Sequence, residues 1–153
     1  MDVGWWTVCT ERTLSVKVAE EPANVRAFYV ELNNIKIVHP LVASVRSIAR
    51  TPTSGGYVQL YRVRDRIPLR FLTLWTTYSV RICVPVAGDV IAEARQFPRV
   101  RLRGRVTFDR VEGGTRVTEC LRIEAPRPLA TLTVRQAMKA HLAMLAGMRA
   151  YFE

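Results

Sequence analysis

Through most of this chain apolar and polar residues alternate, the pattern of strands with one buried face. Residues 11–18 read Glu-Arg-Thr-Leu-Ser-Val-Lys-Val, and strand-like stretches follow at 42–50, 57–66, 69–84, 90–97, 100–111 and 115–124. Turn-forming stretches separate them at 51–56 (Thr-Pro-Thr-Ser-Gly-Gly), 85–89 (Pro-Val-Ala-Gly-Asp) and 112–114 (Glu-Gly-Gly), and Pro98 marks a break or bulge. Turns this short join antiparallel neighbours. Two stretches change period. After Pro22, the residues Val25, Phe28, Tyr29 and Leu32 form a helical stripe, and a second short turn at 35–38 stops at His39-Pro40, because a residue before proline avoids helix. Near the end, Val134, Met138, His141, Leu145, Met148 and Phe152 recur at steps of three and four, interrupted only by Gly147. Thr131 or Thr133 is placed to cap that helix. A helix of roughly 20 residues spans about 30 Å. The predicted order is strand, two short helices, about six strands and one long helix over 132–152. A sheet of this size with one wet face curls, and the helix fills its hollow.

The 153 residues fit one α+β domain, 1–153, with residues 1–10 as an arm or an added strand. Trp5 and Trp6 in that arm either pack back on the domain or meet a partner. Hydrophobic residues make up 49% and charged residues 24%, an ordinary globular composition. No apolar run reaches the ~20 residues of a membrane span, and the N-terminus carries no signal-peptide pattern. Cys9, Cys83 and Cys120 are odd in number and far apart, which argues against a disulfide framework or a zinc site. These features predict a cytoplasmic protein, monomer or homodimer, with no metal and no cofactor.

The net charge is +10, and Lys17, Lys36 and Lys139 are the only lysines among 23 basic residues. Such a surface suits anionic partners. Yet Arg62, Arg64 and Arg66, and Arg99, Arg101, Arg103 and Arg105, alternate with other residues and so share the solvent face of strands. No nucleic-acid reader motif accompanies them.

The chain resembles the START/polyketide-cyclase (SRPBCC) superfamily, the helix-grip fold. The opening strand ends in Val16-Lys17-Val18 and leads into Pro22-Ala23-Asn24-Val25-Arg26-Ala27-Phe28. The segment 33–42 (Asn-Asn-Ile-Lys-Ile-Val-His-Pro-Leu-Val) sits where such proteins carry a short second helix, and Gly113-Gly114-Thr115-Arg116-Val117 precedes the long C-terminal helix. The resemblance covers residues 12–152 and rests on the order of elements. It implies a strongly curved antiparallel sheet of six to seven strands and a hydrophobic cavity between sheet and helix. Members include lipid carriers, aromatase/cyclases, hormone receptors and co-chaperones, so function has to be argued from the site.

Strand parity nominates the lining. Arg62 and Arg64 face out, so Tyr57, Gln59 and Tyr61 point in. Arg116, Thr118 and Arg122 face out, so Glu119 points in with Val117, Leu121 and Ile123. Helical period puts His141 between Met138 and Leu145. Parity over 69–84 stays open, with Thr73, Trp75 and Thr77 on one face and Leu72, Leu74 and Tyr78 on the other. The expected cavity wall is Tyr57, Gln59, Tyr61, Trp75, Glu119, Met138, His141 and Leu145, with Glu119 and His141 as the candidate acid/base pair. Each has a plain structural alternative. Glu119 can be one half of a satisfied buried pair, His141 a packed imidazole, His39 a turn residue, and the aromatics core. Three functions follow. The first is binding of a hydrophobic small molecule, such as a lipid, polyketide or aromatic compound. The second is a cyclase/aromatase-like enzyme using Glu119, His141 or a Tyr hydroxyl. The third is an interaction or nucleic-acid-binding role for the Arg-rich face.

Overall fold

A computed structural model describes residues 6–153. Trp5 lies outside the described residues. The elements run β1 (Thr7–Val18), α1 (Pro22–Val30), α2 (Leu32–Val38), β2 (Val42–Thr53), β3 (Gly56–Pro68), β4 (Thr73–Pro85), β5 (Val90–Gln96), β6 (Val100–Val111), β7 (Gly114–Pro126), a 3-10 turn (Arg127–Leu129) and α3 (Ala130–Tyr151). The seven strands form one antiparallel sheet in the order β1-β7-β6-β5-β4-β3-β2. This is the helix-grip arrangement that the order of elements predicts, with α3 packed on β1 and β7. None of the helices is long and apolar enough to cross a membrane.

Alternation decides what each strand buries. On β7, Thr115, Val117, Glu119, Leu121, Ile123 and Ala125 turn inward, and Arg116, Cys120 and Arg122 turn to solvent. On β3, Gln59, Tyr61, Val63 and Asp65 are buried and Arg62, Arg64 and Arg66 are exposed. Arg101, Arg103 and Arg105 lie on the wet face of β6, where Arg103 and Arg105 meet Glu93 and Asp89. The helix contributes Ala140, Met144, Leu145 and Met148 to the core.

Of the two readings of residues 1–10, residues 7–10 take the strand: they extend β1 and pair with β7 from Thr7 opposite Pro126. Two local expectations are corrected. The β4 strand starts at Thr73, because residues 69–72 are taken up by a turn in which the Leu69 N–H donates to the Leu72 carbonyl. Neither Thr131 nor Thr133 caps α3. The 3-10 turn runs straight into the helix, and the Ala130 N–H donates to the Arg127 carbonyl, so the entry is closed by backbone.

Gly147 lets two helices meet closely. A Cβ there would lie 3.0 Å from Val38 Cβ and 3.2 Å from the Val38 carbonyl oxygen. Its absence lets the end of α2 settle on α3, and His39, the next residue after Val38, comes against His141.

Candidate functional site

Five elements, together with His39 at the end of α2, bring ionisable side chains together inside the grip. From β7, Glu119 is fully buried, with 0% exposure. It accepts a hydrogen bond from Tyr29 Oη of α1 at 2.6 Å and lies 3.2 and 3.3 Å from His141 Nδ1 of α3. A buried carboxylate survives only when paired, and these two partners supply that. The pair also fixes the imidazole, since Nδ1 faces Glu119 and Nε2 has no protein partner among the described residues. The rings of His39 and His141 meet edge to face, their centres 5.8 Å apart. Asp65 of β3 accepts a hydrogen bond from Tyr78 Oη of β4 at 3.0 Å.

The protonation states follow from burial and charge. Burial works against the His141 imidazolium, but the neighbouring Glu119 and then Asp65 outweigh it, so His141 titrates above its ordinary value. Burial and the charge on His141 push His39 down to about 3. Its Nδ1 accepts from the Leu41 N–H at 3.3 Å, which suits the neutral ring. Burial pushes Asp65 up to about 6, against the opposing pull of Tyr78 and His141. Burial, helped by the carboxylates they bond, holds Tyr29 and Tyr78 well above the phenol range, so both remain donors.

A hollow of about 330 Å³ opens beside this cluster. Its walls are mainly apolar, with Leu74, Ala94, Leu102, Ile123, Leu132 and Ala140 among them, and His39, Asp65, Thr76, Tyr78 and His141 reach it. Thr76 Oγ1 is buried there without a hydrogen-bond partner. A deeper chamber of about 100 Å³ lies among Tyr29, Val63, Val80, Ile82 and Met144. His39, Tyr78, Ala94, Leu102 and His141 border both spaces and form the waist between them.

The structure brings Glu119 and His141 together and places His141 on the hollow, with Glu119 behind it. Other sequence-nominated residues fall elsewhere. Trp75 is on the outer face, 47% exposed, with the Arg64 guanidinium 4.3 Å from its ring centre. Tyr57 has the inward parity but stacks with Arg50, and Gln59 is used up by Ser47 Oγ, the Ala49 carbonyl and Arg50 beside the β2 bulge. Tyr61 is buried against α1 and α2 through Glu31 and the Val30 carbonyl. Leu145 is solid core and Met138 packs against it, so neither borders the hollow. Sequence reasoning missed Asp65, Tyr78 and His39. Asp65 carries the same parity as Tyr61 and Val63, which was the available signal. Among the described residues no group of three or more His, Cys, Asp and Glu side chains is placed to hold a metal ion.

Solved structures share this arrangement. The di-domain ARO/CYC BexL from the BE-7585A biosynthetic pathway superposes with a TM-score of 0.72 at 17% identity, over 95% of this chain and 50% of that one. The chain thus spans half the length of that protein. The Zhui aromatase/cyclase from Streptomyces sp. R1128 gives 0.65 at 15% identity, covering 95% and 93% of the two chains. A STAR-related lipid transfer protein fragment from Xanthomonas axonopodis gives 0.62 at 17% identity, covering 93% and 85%. The chain has a START-type helix-grip fold. At such identities the likeness is one of fold. No protein-family model and no curated protein matches the START-type chain.

Proposed function

We propose that this protein takes a hydrophobic small molecule, a lipid, a polyketide or another aromatic compound, into the hollow between sheet and α3. The observation that carries this reading is the hollow itself: about 330 Å³ of mainly apolar wall ending on imidazole, carboxyl and phenol groups. That size lies at the lower end of small-molecule pockets, and a few polar groups in an apolar wall are how such pockets fix orientation. His141 Nε2, His39 Nε2 and Thr76 Oγ1 have capacity left for a ligand. The aromatase/cyclase Zhui and the STAR-related lipid transfer protein, which share the fold, support the same reading by analogy.

The test is binding of an apolar fluorescent probe to the purified protein. Ala140→Phe, which fills the wall, and His141→Leu should each weaken binding while the far-ultraviolet circular dichroism is unchanged. Equal binding by both variants sinks the assignment. A second reading, an aromatase/cyclase-like enzyme, draws on one specific observation. Asp65, pushed up to about 6, can give or take a proton near neutral pH beside the Glu119-oriented His141. Incubation with an oligoketone probe separates the readings: a new product favours catalysis, and bound but unchanged probe favours a carrier.

A further inference from the structure

The end of the grip where the hollow opens is unusual in two independent ways. Large apolar side chains stand out into solvent there. Phe71 and Leu72, in the turn between β3 and β4, are 88% and 59% exposed, and Phe97, between β5 and β6, is 92% exposed. Leu132 in the first turn of α3 is half exposed, and Trp6, beside the 3-10 turn through its carbonyl bond from the Arg127 N–H, is too. Leu69, Leu74, Phe97 and Leu132 all border the same opening, so these residues form one rim and not scattered singles.

The second feature is charge. Arg66, Arg70, Arg99 and Arg135 are exposed around that rim and make no ion pair among the described residues. No Asp or Glu occurs in residues 66–79, 94–102 or 125–140, which flank this end; the nearest carboxylates are Asp65, bonded to Tyr78, and Glu124, paired with Arg122. At the opposite end Arg105 meets Asp89 and Arg110 meets Glu21.

We propose that this rim docks on an anionic lipid bilayer, with the tips at 69–72 and 97–99 inserted at the headgroup boundary and the arginines on the phosphates. Apolar tips surrounded by uncompensated arginine match a surface that is apolar below and anionic above. The net charge of +10 draws the chain to such a surface, and the exposed apolar tips with their unpaired arginines orient it rim first. Docked in this way, the opening of the hollow faces the lipid. The docking claim stands on the rim alone and goes beyond the cavity reading.

Vesicle flotation without any added ligand tests it, using phosphatidylcholine alone and a mixture of about three parts phosphatidylcholine to one part phosphatidylserine. The protein should float with the mixed vesicles, much less with the neutral ones, and be released by added salt. Phe71→Ser with Leu72→Ser, at positions that do not border the hollow, should cut the floated fraction about fivefold or more. Arg70→Glu with Arg99→Glu should do the same, and both pairs should keep the far-ultraviolet circular dichroism and apolar-probe binding. If one pair misfolds, Phe71→Trp supplies the readout, with brominated lipid quenching its emission beyond that of the parent protein. Absence of flotation, or flotation that neither pair reduces, overturns the proposal. So does self-association that Phe71→Ser with Leu72→Ser abolishes in a protein that does not float, which would assign the rim to a second copy. Loss of flotation in the variants with probe binding intact leaves the cavity reading standing. Probe binding unchanged in both Ala140→Phe and His141→Leu, with flotation of the parent protein intact, does the reverse.

Discussion

His39 and Asp65 should impose opposite pH dependences on stability. His39 has a folded pKa of about 3 against an ordinary 6.5, so below pH 6.5 the unfolded chain binds a proton that the folded chain refuses. The stability it contributes is complete above 6.5 and is lost as pH falls toward 3. Asp65 runs the other way. Its folded pKa of about 6 exceeds the ordinary 3.8, so between these values the folded chain binds the extra proton, and stability rises as pH falls. One pKa unit corresponds to about 1.4 kcal/mol, so on acidifying from neutral to about pH 4.5 His39 costs about 3 kcal/mol and Asp65 returns about 2 kcal/mol. His141, also raised, has its window above 6.5 and does not enter. The parent protein should therefore change by only about 1 kcal/mol from these two groups.

The single variants uncover the hidden terms. In His39→Gln only the Asp65 contribution remains, and stability should climb by about 2 kcal/mol toward pH 4.5 relative to its own neutral value. In Asp65→Asn only the His39 contribution remains, and stability should fall by about 3 kcal/mol. Urea unfolding followed by circular dichroism at several pH values measures both. The two curves should separate in opposite directions from the parent curve. Parallel curves for all three proteins would refute the assignment of these groups to a shared, low-dielectric floor, as would separation with the signs exchanged.

Two further outcomes are expected. Leu145→Ala should lower stability by about 2–5 kcal/mol, because Leu145 is 2% exposed and its truncation removes buried apolar contacts and opens a cavity; an unchanged denaturation midpoint would contradict its place in the core. Arg101→Gln with Arg103→Gln should stay within about 1 kcal/mol of the parent, since these side chains are exposed and the Arg103–Glu93 pair is a 3.6 Å surface contact; failure of the double variant to fold would mean that these side chains are not surface groups.

The order of elements was readable because each strand keeps one wet face, so period and turn chemistry survive in the sequence. The same parity brought Glu119 inside, and helical period brought His141 to meet it. Parity gives a face, however, and not a height along the strand. Tyr57 and Gln59 point inward as read, yet their ends of β3 lie beside the β2 bulge, away from the hollow. Trp75 was misplaced for another reason. Both faces of 69–84 carry large apolar residues, and the turn at 69–72 uses residues that look like strand. The outer stacking of Trp75 on Arg64 is a tertiary fact with no local mark. His39 depends on a close approach of helices that Gly147 permits, so nothing near His39 in the chain announces its neighbour.

The placement of the polar groups constrains how a ligand would sit under the proposed function. The outer part of the hollow is walled mainly by apolar side chains such as Leu74, Phe97 and Leu132, with Gln96, Thr133 and Gln136 interspersed, whereas His39, Tyr78 and His141 stand at the waist. Tyr78 is spent on Asp65, and Nδ1 of His39 is spent on Leu41. Free capacity at this inner end lies at His141 Nε2, His39 Nε2 and Thr76 Oγ1. A molecule entering with its apolar body first would bury that capacity against carbon and lose the water that now can satisfy it. A molecule entering polar end first satisfies these groups and leaves its apolar body against mainly apolar wall. Under the proposed function the waist would therefore favour amphiphilic guests over plain hydrocarbons, with a polar atom held inside.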